Sequence, residues 1–346
     1  MVSKKRITKA GITLITSKSQ DEINDALDII NIWRYNHMHP LNIMKNSVVR
    51  LMIKNKINPV LVSQRLKRLE SIIYKIDLND SMGLGGMQDI GGYRVVLRDT
   101  KDLIKLKMVL QKNRNHKLIK INDYIEKPKF SGYRSIHLIY SYNSKIEKYN
   151  GLRLELQIRT KLQHNWATAV ETVGLITKTS LKSSQGPDEW LYFFKVVSSL
   201  FAIIENLPVI QEHASKTIEE LMLECEYLLS KLNVINILKG LRISANKIDE
   251  NNYPGDYYIV LIKAQEKKVQ ILSFKKNDLE RASNEYLKIE KSIQGSSNAV
   301  VLVSSNSIKS LKDAYPSYFL DTSHFIYALE KISEGCNTMK ITTANN

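Results

Sequence analysis

Leu152–Thr160 constrains this chain more than any other segment: Leu-Arg-Leu-Glu-Leu-Gln-Ile-Arg-Thr. Its alternation puts Arg153, Glu155, Gln157 and Arg159 on one face of a strand and Leu154, Leu156 and Ile158 on the other. The apolar face demands a core. The opposite face sets a carboxylate between two guanidiniums, which is costly to bury without a charged ligand. Two readings follow: a site for phosphates and metal, or a solvated face with cross-strand ion pairs.

Charge distribution favours a polyanionic ligand. Residues 1–187 carry a formal charge of +18, against −4 for residues 188–250 and +2 for residues 251–346. Such a field attracts nucleotides or RNA. With 346 residues the chain has room for two domains, and no long uncharged apolar run predicts a membrane span. The basic start Met1-Val-Ser-Lys-Lys-Arg is not followed by the apolar stretch of a secretory signal. Cys225 and Cys336 are too few and too far apart for a disulfide framework or a thiolate metal site. The expectation is a cytoplasmic protein with no membrane partner.

Patterning divides the chain into an N-terminal helical segment (1–45), a basic mixed α/β region (46–187), a helical extension (188–243), a linker (244–256) and a small α/β module (257–335). Ser19 and Glu22 form a capping-box signature, and a helical break is expected near His39-Pro40. The region 46–187 is predicted to hold helices over Pro59–Ile76 and Lys101–Lys112, with strands at Arg94–Leu97, Ser135–Tyr142 and Leu152–Arg159. The extension breaks at Pro208. In the last module a hairpin (Tyr257–Lys263, Lys268–Phe274) precedes a helix near Asp278–Lys291, a strand at Ala299–Ser304 and a helix near Asp321–Ile332.

Three more segments carry polar residues at spacings that suit a shared site. Helical spacing over Arg65–Lys75 aligns Lys67, Ser71 and Lys75, with Leu66, Leu69 and Ile73 as the apolar stripe. Two ammoniums and a hydroxyl in line suit a phosphate chain, although a solvated helix face is the plainer alternative. Asp89 stands just before an apolar strand, where it and Glu155 would supply two carboxylates for Mg²⁺. Gly91-Gly92 allows a close backbone approach or a tight turn. The loop Lys127–His137, with Lys127, Lys129, Tyr133 and Arg134, can hold a phosphate and stack a base. Beyond the opening strand, His164 is a candidate phosphate contact and Trp166 a core residue.

In this order the four segments resemble the synthetase domain of the RelA/SpoT family, the alarmone synthetases, over about residues 45–175. The matching motifs are Arg-x-Lys-x-x-x-Ser-x-x-x-Lys (Arg65–Lys75), Asp-Ile-x-Gly-x-Arg (Asp89–Arg94), Gly-Tyr-Arg-Ser-Ile-His (Gly132–His137) and Glu-x-Gln-Ile-Arg-Thr (Glu155–Thr160). The resemblance implies an α/β (α+β) fold, a nucleotidyltransferase-like mixed sheet flanked by helices. It implies a GTP diphosphokinase-like enzyme that moves the β,γ-pyrophosphate of ATP onto the 3′-hydroxyl of GDP or GTP, giving (p)ppGpp.

By the same resemblance, Arg65 and Arg94 clasp adenine, while Lys67, Ser71 and Lys75 hold the ATP phosphates. Asp89 and Glu155 bind Mg²⁺, with Glu155 also a candidate base, and Tyr133 stacks the acceptor base. Lys127, Lys129, Arg134, His137, Gln157, Arg159 and His164 line the acceptor side. Ser131 departs from the Asn of many members, and the chain has no His-Asp dipeptide of the kind that accompanies alarmone hydrolysis. Two other readings stay open here: a toxin-type member acting on the 3′ end of tRNA, with residues 257–335 as regulator or sensor, and an inactive nucleotide- or RNA-binding module. Retention of both carboxylates argues against the last. A homo-oligomer is also left open, and residues 251–346 are expected to be dispensable for transfer.

Overall fold

Ser3 and Ser19 start the first two helices, each side chain accepting an amide proton that the first turn leaves unpaired. The computed structural model describes residues 3–77, 83–177, 181, 186–245, 255–263, 268–293, 298–304, 312 and 322–344. It begins with α1 (Lys4–Thr16), α2 (Gln20–Asn36) and α3 (Met38–Lys54). The capping box is half formed: Ser19 accepts from the Glu22 amide, but the Glu22 carboxylate takes the Ser17 hydroxyl at 2.6 Å. The helical break falls at His37 rather than His39-Pro40. Pro40 sits in the first turn of α3, where no amide proton is needed.

The central region runs β1 (Leu61–Leu66), α4 (Leu69–Asp77), β2 (Gly91–Leu97), α5 (Thr100–Lys112), β3 (Lys117–Asp123), β4 (Ile136–Ser141), β5 (Arg153–Thr160) and α6 (Lys161–Thr177). The helix expected over Pro59–Ile76 is therefore half strand. Residues 61–66 pair with β2 in register, from Leu61 opposite Val96 to Leu66 opposite Gly91. Tertiary pairing outweighs the helical spacing, and Leu66 and Leu69 bury in different cores. The unforeseen β3 is a charged edge strand, Lys-Leu-Ile-Lys-Ile-Asn-Asp.

The second half contributes α7 (Asp188–Ile204), α8 (Ile218–Lys231), α9 (Val234–Ala245), β6 (Tyr257–Lys263), β7 (Lys268–Phe274), α10 (Leu279–Ser292), β8 (Ala299–Ser304) and α11 (Ser323–Ala344). Most of the expected linker, residues 246–254, lies outside the described residues. The strands expected as a module of their own continue the same sheet. Among the described residues the order is β3-β4-β5-β2-β1-β8-β6-β7, a mixed sheet in which β2 and β5 are parallel. β8 pairs with β1, Arg65 lying opposite Val303.

One apolar core runs beneath both halves, joining Leu156 and Ile158 to Ile259, Leu302 and Tyr286. A second packs α1 and α2 against α4 through Ile7, Ile30, Trp33 and Ile72. A third, around Trp166, Phe193, Leu221 and Phe325, joins α6, α7, α8 and α11. Cys225 and Cys336 are buried free thiols. No helix among the described residues is long and apolar enough to cross a membrane.

Candidate active site

The alternation of β5 holds: Leu154, Leu156 and Ile158 are fully buried, while Glu155 and Gln157 face a pocket. Register assembles the rest of that face. Gly92 lies beside Glu155 and Arg94 beside Gln157 on β2, with Arg65 opposite Gly92 on β1. His137 on β4 lies opposite Gln157. Arg65, Lys67, Asp89, Arg94, Glu155 and Gln157 thus share one pocket. Sequence reasoning missed Ser63, which enters the pocket because β1 is a strand and places it two residues from Arg65.

Asp89 is held by two cations. Lys67 Nζ lies 2.7 Å from its Oδ2 and Lys75 Nζ 3.1 Å from its Oδ1. Burial would raise this carboxyl, but Lys67 and then Lys75 pull its pKa down to about 2. Lys75 sits one helical turn after Ser71 on α4, and Lys67 in the turn before that helix. The Lys67 amide bonds the Ile90 carbonyl at 2.8 Å, which ties this turn to the residue following Asp89.

Glu155 is held by His137 Nδ1 at 2.9 Å and by Gln157 Nε2 at 2.8 Å. Burial opposes its charge, yet the His137 contact lowers its pKa. His137 Nε2 lies 2.9 Å from the Tyr133 hydroxyl. Burial lowers the imidazole pKa, but Tyr133 and Glu155 raise it to about 9. At neutral pH the ring is therefore an imidazolium that donates to both. Because its folded pKa lies above the ordinary 6.5, its stabilisation is complete below that value and lost as pH rises through about 9. We expect the stability advantage of wild type over His137→Gln, from denaturant midpoints, to shrink across this window. An advantage that grows with pH there would contradict the assignment.

The remaining expected site residues are more buried or lie on the loop. Tyr133 is only 3% exposed, packed near Tyr124 and Trp166, with its hydroxyl against His137. Arg134 is buried against α7, its Nε donating to Ser198 Oγ at 3.2 Å. Burial lowers its pKa to about 10. Ser198 also donates to the Gly132 carbonyl at 2.6 Å. Gly132 has φ +87°, and a Cβ there would lie 2.8 Å from Ser198 Cβ, so glycine is required where the loop meets α7.

Arg159 is 1% exposed on the pocket side of β5. Burial and then the charge of Arg94 lower its pKa to about 9. His164 is buried on α6, whereas Lys127 and Lys129 are exposed on the loop. The Lys129 ammonium lies 4.7 Å from the Tyr124 ring centre.

The donor set fits Mg²⁺, which commonly uses one or two carboxylates and takes its remaining ligands from water and substrate phosphates. Asp89 and Glu155 line the same pocket and feel each other's charge. Among the described residues no group of three or more His, Cys, Asp or Glu side chains forms a complete protein cage for a metal.

Residues 64–175 match the family profile described as "Region found in RelA / SpoT proteins". The GTP pyrophosphokinase YwaC of Bacillus subtilis (strain 168) is 30% identical over 110 residues, which is 30% of this chain and 52% of that protein. The GTP pyrophosphokinase YjbM of the same organism is 33% identical over 113 residues, 31% of this chain and 52% of that protein. The chain thus spans about half the length of these two relatives. The small alarmone synthetase 1 from Bacillus subtilis bound to its product pppGpp is a solved structure with 23% identity and a TM-score of 0.42, covering 51% of this chain and 90% of that one. The segment that supplies both pocket carboxylates and their cations thus lies within the residues that match the RelA/SpoT family profile.

Proposed function

We propose that this chain is an ATP-dependent pyrophosphokinase that transfers the β,γ-pyrophosphate of ATP to the 3′-hydroxyl of GDP or GTP. One observation carries the reading: a single site sets Asp89 and Glu155, both of lowered pKa, among Arg65, Lys67, Lys75 and Arg94. In the reaction the 3′-oxygen bonds to the β-phosphorus as the bond from that phosphorus to the α,β-bridging oxygen breaks, releasing AMP and passing the hydroxyl proton to water. Such a displacement is chiefly a matter of positioning and of neutralising phosphate charge. Mg²⁺ held by Asp89 and Glu155 would neutralise charge on the transferring phosphates.

Lys67 and Lys75, which pair with Asp89, would turn to the phosphates as the carboxylate turns to the metal. Arg65 and Arg94 flank the glycine gap at residue 92, where the nucleotide is accommodated. The lowered pKa of Glu155 suits it to holding charge more than to holding a proton.

Gly92 tests the pocket directly. The nearest atom to a Cβ added there is the Arg65 carbonyl oxygen, at 4.0 Å, so the protein itself has room for a side chain. Gly92→Val is expected to keep its melting temperature within about 2 °C of wild type. It should weaken Mg·ATP binding at least ~10-fold by filling the nucleotide's space. Binding unchanged by calorimetry would place the nucleotide elsewhere.

One feature favours a longer acceptor. A groove beside Gly85-Gly86 carries Lys4, Lys5 and Lys9 of α1 together with Arg153, two residues before Glu155. Cations continuing away from the pocket suit an RNA backbone. Pure protein incubated with γ-labelled ATP, Mg²⁺ and either GDP/GTP or tRNA separates the readings. Label in guanosine tetra- or pentaphosphate supports the proposal, and label on tRNA supports the longer acceptor. Transfer to neither overturns both.

A further inference from the structure

Arg34 of α2 is among the largest fully buried side chains of the protein. Its Nε and Nη2 donate to the Lys67 carbonyl at 3.1 and 2.9 Å. Nη1 donates to Glu290 Oε2 at 2.8 Å, and Nη2 to the Tyr286 hydroxyl at 2.9 Å. That hydroxyl donates to Glu290 Oε1, which also accepts the Leu69 amide at 2.8 Å. Tyr286 and Glu290 stand on α10, in sequence more than 200 residues beyond this turn.

Leu69 is the first residue of α4, a helix end that needs an acceptor for its free amides. The preceding Leu66-Lys67-Arg68 contains none of the side chains that usually cap a helix. Glu290 supplies the carboxylate from across the fold, and its charge also suits the positive end of the helix. A buried ion pair of this kind contributes little net stability, since well-packed apolar residues often serve as well. Its bonds converge on the backbone of residues 67 and 69, between the ammonium on Asp89 and the helix carrying Ser71 and Lys75.

We propose that Glu290 and Tyr286, acting with Arg34, are positioning residues for the turn at Lys67–Leu69, so that α10, packed on the C-terminal strands, completes the phosphate side of the site. This rests on the reading of Lys67 and Lys75 as phosphate ligands.

Glu290→Gln keeps an acceptor for the Leu69 amide but removes the charge opposite Arg34. Tyr286→Phe keeps the ring and is the variant that retains the fold. In the full chain, each is expected to weaken Mg·ATP binding about tenfold by calorimetry, the scale of one hydrogen bond to a charged group. In a Lys67→Ala background the same changes should cost only about threefold, because one of the two ammoniums they position is gone. Equal factors in both backgrounds would mean a merely structural role and overturn the proposal.

Hydrogen exchange needs no ligand and keeps two failures apart. Tyr286→Phe should speed exchange over residues 67–77 about tenfold while leaving β4 and β5 unchanged. If wild type binds no Mg·ATP, the reading of the site falls, and unchanged exchange then overturns the clamp as well. Accelerated exchange in that case supports the clamp without the nucleotide.

Discussion

Glu155→Gln is expected to reduce pyrophosphate transfer by at least ~10³-fold while the protein stays folded, because several kcal/mol of charge stabilisation at the transferring phosphates depends on this carboxylate. The amide keeps the size of the side chain and an acceptor for Gln157, so the loss reports charge rather than packing. The same substitution removes the partner that helps raise His137 to about 9, so the pH dependence assigned to that imidazole should fade with it. Asp89→Asn should cause a comparable loss in turnover and also leave Lys67 and Lys75 facing each other without their shared carboxylate. Transfer rates from radiolabelled ATP, with circular dichroism to check folding, decide the matter. Activity within tenfold of wild type for both variants would remove the carboxylates from the chemistry.

Removal of residues 255–346 is expected to leave no folded, active protein. It strips β8 from β1 and exposes a new sheet edge. It takes Ile259, Tyr286, Val300 and Leu302 out of the core shared with β5. It also leaves Arg34 buried without Glu290, and breaking a buried ion pair costs about 3–5 kcal/mol against a total stability of about 5–15 kcal/mol. Loss of soluble expression or of cooperative melting is the anticipated readout. A truncated chain that melts cooperatively and transfers pyrophosphate would restore the sequence-based expectation that this segment is dispensable.

That expectation rests on local features alone. The polar stretch over residues 244–256 and the near-neutral charge beyond it read as a boundary, and both are local properties. Pairing of β8 with β1 depends on residues some 240 positions apart, and no periodicity reports it. The misread helix at Pro59–Ile76 has the same origin. Leu66, Leu69 and Ile73 satisfy a helical period, whereas Arg65 is on a strand because β2 lies alongside. The mistaken start of that helix did not disturb the pairing of Lys67 and Lys75 with Asp89, since a turn and a helix can present both ammoniums to one carboxylate.

The sequence by itself determined the polar and apolar faces of β5, the presence of two carboxylates and the excess of cation around them. Side-chain alternation and charge are properties of residue order, and folding could only preserve them. Tertiary structure alone decided which groups meet. It turned Tyr133 inward to His137, buried Arg134 against Ser198, and brought Glu290 to the start of α4. Each of these contacts depends on where helices and strands pack in space. A buried hydrogen-bonding group takes its partner from whatever the fold delivers, whether four residues away or more than two hundred.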